Sequence, residues 1–368
     1  MNPVRVFALA QGAVDHLPES AGRAVFDVVG TFAGLLPIGG TKQLRKNQAR
    51  LRPGMKRREA LALSAKAMRS YMRYYYESFR LSRWDEESIL ARVSGCTTEH
   101  VREELQSGSV TGALMHAGNW DLAGAWANID LATVHTIAEK LEPPELFQGF
   151  LSFRESLGMT IYPLVKGGGA LRSLEADMRE NHIFTPMLAD RDLSASGIEV
   201  TLAGIPMLVA PGPALLAQRT GCGLYPVYIS YEKLAGSRRA AAGTKWGTRI
   251  DILPAVRATT TPHSAPAERE ADIARMCQEW VDTITPYLLD HLEDWHMLQK
   301  VFVEDLDPAR LAKSRAKAAA AARGEDVNSA DSQERQANLS SGCAQSGDAQ
   351  PKGTRREHSL PDNRVDEA

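Results

Sequence analysis

The sequence predicts an α/β fold in which a largely parallel central sheet is flanked by helices. Between residues 109 and 305, short apolar runs alternate with longer segments whose apolar residues recur every three or four positions. Proline and glycine separate these segments, as at Pro143-Pro144 and Pro211-Gly212. Strands that alternate with helices are typical of a parallel sheet covered on both faces.

Composition narrows the class of protein. The chain has 368 residues, 43% hydrophobic content and a net charge of −2, which gives no overall bias toward nucleic acid. The four cysteines are scattered without metal-ligand spacing, so we expect reduced thiols in a cytosolic compartment. We find neither a signal-peptide pattern nor an apolar run of about 18 residues, so no membrane-spanning helix is predicted.

Three regions are expected along the chain. Residues 1–108 form a helical, basic part that faces a membrane, and residues 109–305 form the α/β core. Residues 306–368 begin with an Ala/Arg-rich weak helix over 311–323. From residue 324 the chain is polar, almost without aromatic residues, and too poor in apolar residues to form a core. We therefore expect this tail to be disordered.

The N-terminal region combines two mildly apolar helices, predicted over 3–16 and 21–36, with a strongly basic stretch. Thirteen Lys and Arg residues occur over 42–83, opposed only by Glu59 and Glu77. A basic helical stretch beside an apolar helix favours attachment to an anionic membrane surface. Nucleic acid binding would need the same charge but lacks a recognition motif here. The alternative that these basic residues form a solvated face on helices packed against the core remains open. The Tyr and Met stripe over 68–79 is expected in the core.

The core elements follow from the apolar periodicity. Gly167–Gly169 lacks a phosphate-loop pattern and is interpreted as a connection. Residues 231–247 are expected to form a hairpin loop. Residues 198–202 are expected to form a short strand or one arm of a hairpin. Further strands are predicted over 110–114, 133–138, 159–164, 183–189, 224–230 and 248–253, and helices over 143–157, 170–180, 214–220 and 268–292.

The first core strand leads into the pattern His116-Ala-Gly-Asn-Trp-Asp121. Gly118 permits a sharp turn, and Asn119 is a candidate helix N-cap. A carboxylate bonded to one imidazole nitrogen leaves the other nitrogen free as a general base, so His116 and Asp121 are a candidate dyad. A histidine and an aspartate five residues apart also occur often by chance. In α/β sheets, however, sites lie at the carboxyl ends of strands, where Glu139 and Asp190 to Asp192 are also expected.

Together with several other segments, this pattern resembles the HxxxxD acyltransferases of glycerolipids and lipid A. The chain is most similar to the actinobacterial phosphatidylinositol mannoside acyltransferases, from near residue 1 to about 305. Lauroyl transferases usually carry Asp-Gln-Asp where this chain has Asp-Arg-Asp, which favours the mannoside branch. The further matching segments are Ala138–Leu141, Phe153–Gly158, Leu188–Leu193, Gly197–Val200, Pro211–Leu215 and Glu293–His296.

The resemblance implies transfer of an acyl chain, typically palmitoyl, from acyl-CoA to a mannose hydroxyl of phosphatidylinositol mono- or dimannoside. It makes His116 the general base, supported by Asp121, with Glu199 as an acid that acts with the histidine. From the basic N-terminal stretch and the missing signal-peptide pattern we expect a peripheral protein on the cytoplasmic face of the cell membrane. The side chains expected to bind substrate are Glu139, Arg154, Asp190 and Arg191.

Direct attack by the sugar hydroxyl needs neither a nucleophilic serine nor a metal, and acyl-CoA is a co-substrate, so no cofactor is expected. Backbone N–H groups after His116 are candidate oxyanion donors. His135 and His296 are interpreted as packed or surface residues. Alternatives are a lipid A lauroyl-type or other glycolipid acyltransferase, and a non-catalytic acyl-CoA or lipid-binding protein. An α/β hydrolase is disfavoured because the GxSxG pattern is missing.

Overall fold

The computed structural model describes residues 11–309 except 13, 15, 96–98, 140–142, 165–168 and 193–196, together with 311, 312, 315, 316 and 319. The predicted helix over 3–16 and the tail from residue 324 lie largely or wholly outside these residues. The helices are α1 (Glu19–Leu35), α2 (Gly39–Leu51), α3 (Arg57–Leu81), α4 (Glu86–Arg92), α5 (Glu99–Ser107), α6 (Trp120–Asp130), α7 (Pro144–Ser156), α8 (Ala170–Glu180), α9 (Gly212–Thr220), α10 (Gly236–Ala242) and α11 (Pro266–Asp290).

A mostly parallel sheet lies at the centre, as predicted, with the order β1-β9-β8-β2-β5, in which β8 and β9 are antiparallel. A parallel bridge from Val134 to Phe184 places the β3–β4 pair beside β5. The strands are β1 (Val93–Gly95), β2 (Val110–Leu114), β3 (His135–Glu139), β4 (Thr160–Leu164), β5 (Phe184–Leu188), β6 (Ile198–Leu202), β7 (Ile205–Val209), β8 (Leu224–Lys233) and β9 (Trp246–Ile252).

Three elements differ from the sequence prediction. The segment over 198–202 is a hairpin arm, which was one of its two expected structures, but its partner strand β7 was not predicted. The turn between the two arms has positive φ at Ala203 and Gly204. The short β1 was also missed. The expected hairpin of β8 and β9 is confirmed, but the predicted loop carries α10. Alanine and arginine are good helix formers, so this stretch had a helical propensity that its glycines obscured.

Helix α1 packs on α3 through glycine. A Cβ at Gly30 would lie 2.7 Å from the Met68 carbonyl oxygen, so only glycine allows this close approach of the two backbones. The opposite face of α1 is apolar and exposed; Phe32, for example, is 64% exposed. Among the described helices, none is long and apolar enough by itself to cross a membrane, although α1 and α2, bent by 72°, pass that test as a pair.

The basic stretch over 42–83 divides into two groups. Some of its side chains have structural contacts: Arg50 pairs with Glu304 and Asp305, and the buried Arg73 stacks on Trp246. Others, such as Lys42 and Lys66, are exposed. Part of the charge therefore stabilises the packing of α2 and α3, and part remains available to a partner.

Candidate active site

Sheet register brings the central residues of the site together. Strands β2 and β5 are parallel neighbours, and Leu114 lies opposite Leu188 in their ladder. Two residues beyond each of these positions, the chain reaches His116 and Asp190. Both therefore emerge at the carboxyl edge of adjacent strands, where open α/β sheets bind their ligands.

Asp190, not Asp121, is the carboxylate that contacts His116. His116 Nδ1 lies 2.5 Å from Asp190 Oδ1, and the backbone N–H of His116 donates to Oδ2 at 2.9 Å. Trp295 Nε1 also donates to Oδ2, at 2.8 Å. Burial acts to raise the pKa of Asp190, but the interactions with His116 and Trp295 outweigh it and hold that pKa below its usual value. An ionised Asp190 fixes the proton on Nδ1 and leaves Nε2 as the basic nitrogen.

The predicted contact between Asp121 and His116 is wrong. Asp121 is 2% exposed and faces the helices above the sheet: Oδ1 accepts from Arg154 Nε at 2.8 Å, and Oδ2 accepts from the Tyr74 hydroxyl at 2.9 Å. Its first-turn position on α6 directs it toward α3 and α7 rather than back to the strand end. Asp121 therefore fastens these two helices beside the turn that carries His116.

The turn after His116 is confirmed in detail. Gly118 has φ of +59°, and the Asn119 side chain accepts from Leu122 N at 3.0 Å as the N-cap of α6. The N–H groups of Ala117 and Gly118, however, already donate to carbonyl oxygens within the protein. The expectation that the first N–H groups after His116 bind an oxyanion is therefore wrong for these two residues.

A cavity of about 270 Å³ opens beside His116, whose side chain is 22% exposed. Aromatic rings from α3 form one wall, so Tyr71 and Tyr75, which were expected in the core, instead line the cavity; Met68 and Tyr76 are buried as expected. The charged, imidazole and amide side chains in its wall are those of Glu139, Arg154, Arg191, His116, His296 and Gln299.

Three of the predicted substrate residues thus reach the cavity. Arg154 is held by Asp121, and Arg191 lies 3.4 Å from Glu139 across the strand ends. Glu199 does not join them, because it is exposed on the outer face of β6 and pairs with Arg315. The acid that contacts His116 is Asp190, and the structure does not bring Glu199 to the histidine.

The segment over 293–296 contributes more than its sequence indicated. It pairs with the turn after β2: His296 N donates to the His116 carbonyl at 2.7 Å, and Ala117 bridges to Trp295. Trp295 supports Asp190, and His296 lines the cavity, whereas it was predicted to be a packing residue. The match of residues 293–296 to the acyltransferase pattern was a signal that this segment belongs to the site. Apolar periodicity could not show it, because His296 is 180 residues from His116 in the sequence.

Helix α3 holds His296 through Ser70. The Ser70 hydroxyl donates to Asp294 Oδ1 at 2.6 Å and lies 2.9 Å from His296 Nε2. Burial raises the pKa of Asp294 to about 6 and, together with repulsion from His116 and Arg73, lowers the pKa of His296 to about 3. The cavity therefore contains, in addition to His116, the imidazole of His296, which burial keeps neutral at pH 7.

Comparison with known families identifies the class. The profile of the bacterial lipid A biosynthesis acyltransferases matches residues 6–304, so the chain belongs to that family. Among curated relatives, phosphatidylinositol mannoside acyltransferase of Mycobacterium tuberculosis is 33% identical over 315 residues, which are 84% of this chain and 92% of the relative. The protein of that name from Mycolicibacterium smegmatis is 30% identical over 310 residues, 83% and 93% of the two chains. The chain is therefore an acyltransferase similar to these mannoside enzymes.

Proposed function

We propose that this acyltransferase moves an acyl chain, palmitoyl in the first instance, from acyl-CoA to a mannose hydroxyl of phosphatidylinositol mono- or dimannoside. The observation that carries the proposal is the pair of His116 and the fully buried Asp190 at the wall of a partly aromatic cavity. The names of the mycobacterial relatives support the acceptor. The reaction needs a base, a group that orients the base and a cavity that admits the substrates, and this site has all three.

In this reaction His116 Nε2 removes the proton of the attacking hydroxyl. The hydroxyl oxygen then bonds to the thioester carbonyl carbon, and the carbon–sulfur bond breaks. The imidazolium returns its proton to the departing thiolate, so His116 ends neutral. General-base help of this kind contributes roughly 10²–10⁴-fold to the rate.

Two arginines on the cavity wall suit the phosphates of the substrates. Arg154 is oriented by Asp121, and the interaction with that carboxylate outweighs desolvation and raises the pKa of Arg154. Arg191 contacts Glu139 at 3.4 Å, a distance long enough for the guanidinium to exchange this partner for a phosphate oxygen. We assign phosphate contacts of the donor or of the lipid acceptor to these two side chains.

The test uses two histidines of similar surroundings. His135 Nδ1 lies 2.6 Å from Asp177 on the outer part of the sheet, but His135 does not line the cavity. With labelled palmitoyl-CoA and mannosylated phosphatidylinositol, His116→Ala should reduce transfer about 10²–10⁴-fold. His135→Ala should stay within about threefold of wild type. Equal losses in both variants, or undiminished transfer in His116→Ala, would remove the proposed mechanism.

We also propose a peripheral location on the cytoplasmic face of the membrane, where acyl-CoA and the lipid acceptor meet. Supporting features are the exposed apolar face of α1 and the exposed basic residues of α2 and α3, such as Lys42 and Lys66. An amphipathic helix lying in the interface buries its apolar face about 5–10 Å deep, with basic groups near the lipid phosphates. The acceptor would then reach the cavity without leaving the bilayer.

Vesicle sedimentation checks this location. Wild-type protein should bind anionic vesicles more tightly than neutral ones, and the double substitution Val28→Asp, Phe32→Asp should weaken binding by about tenfold or more. Leu90→Asp is the matched control, because Leu90 is an exposed apolar residue on a different helix, α4. Equal sedimentation with both vesicle types, or equal loss in the control, would contradict the proposed orientation.

A further inference from the structure

A second group of charged side chains lies on α3, on the side of the helix that faces away from the cavity. With 3.6 residues per turn, Arg69 and Arg73 project opposite to the tyrosines of the cavity wall. The β8–β9 hairpin packs there, and its cross-strand pair is Lys233 and Trp246. The Lys233 ammonium lies 3.2 Å from the centre of the indole ring, and the Arg73 guanidinium lies 3.4 Å from it. These two cations, with Arg69 and Lys245, are called the basic cluster below.

The four cations are close enough to repel one another. The pKa of Lys233 lies below its usual value, because burial and the positive charges of Lys245, Arg73 and Arg69 all lower it, while Asp27 opposes them. Among the described residues, neither the two lysines nor Arg69 has a carboxylate oxygen within 4 Å. Like charges gathered in this way disfavour the charged forms of one another. An anion bound among them would offset that cost.

Arg73 is the buried member of the basic cluster, and it lacks hydrogen bonds. Its side chain is 8% exposed, and Nε is fully buried without a partner among the described residues. The carboxylate of Asp27 comes only within 3.9 Å of Nη2, which is too far for a hydrogen bond. Buried donors are almost always paired. An unpaired guanidinium among other cations therefore indicates that a ligand supplies the acceptor.

The buried carboxylates near Arg73 do not neutralise the basic cluster. Glu77, one turn further along α3, already accepts hydrogen bonds from side chains of α1, β8 and the turn before α6. Asp294 is attracted by Arg73 but accepts from α3 and from the backbone of β8. Within the described part of the chain, this leaves the 42% exposed Asp27 to face four cations. Such an excess of positive charge suits a ligand with more than one negative charge.

We propose that the basic cluster binds a phosphate group, at a site distinct from the catalytic cavity. A phosphate monoester carries about −1.5 to −2 charges at pH 7 and has three strong acceptor oxygens. The planar fork of Arg73 matches these oxygens in pairs, and the other three cations add charge around them. Trp246 orients Arg73 and Lys233 in advance, because both cations stack on its ring.

The phosphate belongs either to a soluble ester or to the headgroup of a lipid. Asp27, beside the basic cluster, is on α1, the helix whose opposite face is apolar and exposed. A lipid phosphate and a soluble phosphate present the same oxygens to Arg73, so the chemistry of the site is the same for both. The site does not depend on the proposed reaction at His116.

Exposed lysines allow a test that leaves the core intact. Lys233→Gln with Lys245→Gln removes two charges of the basic cluster, and Lys42→Gln with Lys56→Gln removes two at exposed positions elsewhere. Calorimetric titration of the full chain with inorganic phosphate, at an ionic strength held constant with chloride, should show saturable binding to wild type. The cluster variant should raise the Kd about tenfold or more, because two charge-assisted contacts are lost. The control variant should stay within about threefold of wild type.

Vesicles distinguish the two sources of the phosphate. Phosphatidylcholine vesicles are prepared with phosphatidic acid or with an equal charge of oleate, and sedimentation measures binding. If the ligand is a lipid, wild type should prefer phosphatidic acid, and Lys233→Gln with Lys245→Gln should remove the preference. If the ligand is soluble, inorganic phosphate should bind as described and the two kinds of vesicle should bind equally.

Two results would overturn the assignment. One is that neither inorganic phosphate nor phosphatidic acid requires Lys233 and Lys245 for binding. The other is an equal loss in the control variant, because net charge alone would then explain the binding. Arg73→Lys keeps the charge but loses the planar fork, so it should raise the Kd for inorganic phosphate about threefold or more. If Arg73→Lys does not fold, the lysine variants still decide.

Discussion

Asp190 and Asp121 are both buried carboxylates beside one cavity, but they hold different parts of it. Asp190 follows strand β5 and orients the imidazole of His116. Asp121 opens helix α6 and accepts hydrogen bonds from Tyr74 on α3 and Arg154 on α7. The first orients the proposed base, and the second fixes the walls around it.

The difference shows what proximity in sequence does and does not imply. Asp121 is five residues from His116, and Asp190 is 74 residues away, yet only the distant carboxylate contacts the imidazole. Strand adjacency in the sheet, rather than spacing along the chain, determines the pair. The HxxxxD spacing instead places its aspartate in the first turn of a helix, where it faces α3 and α7.

The largest expected effect comes from Asp190→Asn. An asparagine amide donates to Nδ1 of His116 and moves the imidazole proton to Nε2, so the base is lost. The same substitution in a serine-protease triad lowers kcat about 10⁴-fold, and we expect a loss of about 10²–10⁴-fold here. Steady-state transfer assays measure it, with Asp177→Asn beside His135 as the control. A similar drop in both variants would show that the cavity position gives His116 no special role.

A smaller effect, on stability, is expected from the other carboxylate. Arg154→Ala leaves the buried Asp121 without its cation, which should reduce the free energy of unfolding by about 3–5 kcal/mol. The double variant Asp121→Asn, Arg154→Gln removes both charges and should recover much of that loss. Urea denaturation measures both. If the double variant is as unstable as Arg154→Ala, the unpaired charge of Asp121 is not the source of the lost stability.

The smallest effect concerns Asp294, a third buried carboxyl. Its pKa is about 6 in the folded state and 3.8 in the unfolded state. The carboxyl therefore ionises more readily in the unfolded chain, and the free energy of unfolding falls as the pH rises from about 4 to 6. Asp294→Asn cannot ionise, and its stability relative to wild type should rise across this range by up to about 3 kcal/mol. Thermal unfolding at pH 4 to 7 tests this, with Glu293→Gln as the neighbouring control. A difference in stability between Asp294→Asn and wild type that does not change with pH would contradict the claim that burial raises the pKa of Asp294.

The fold was predictable where the chain repeats a simple pattern. Strand β2 is mostly apolar and was predicted as a buried strand, and all five of its residues are buried. Helix α7 begins at a Pro-Pro pair. Strand β7 was not predicted, because a single proline at position 206 marks an edge rather than a strand interior. Helix α10 was hidden by flanking glycines.

The site was predictable only in part, for a physical reason. The position of His116 followed from local sequence, because a strand, a glycine turn and an N-cap occur in succession. Its partner depended on which strands are neighbours, and periodicity carries no information on strand order. The same holds for His296, which reaches the cavity through pairing of its backbone with that of His116. Glu199 was misplaced because a motif match says nothing about which face of β6 a side chain takes.

The central claim is that Asp190 acts through His116, and a double-mutant cycle on the transfer rate tests it most directly. The variants are His116→Ala, Asp190→Asn and the combination, assayed with the same acyl donor and mannosylated acceptor. Residues that act as a unit lose activity together rather than cumulatively. We predict that the combined variant retains the rate of His116→Ala within about threefold. Losses that multiply in the combined variant would contradict the claim, because Asp190 would then act independently of the imidazole.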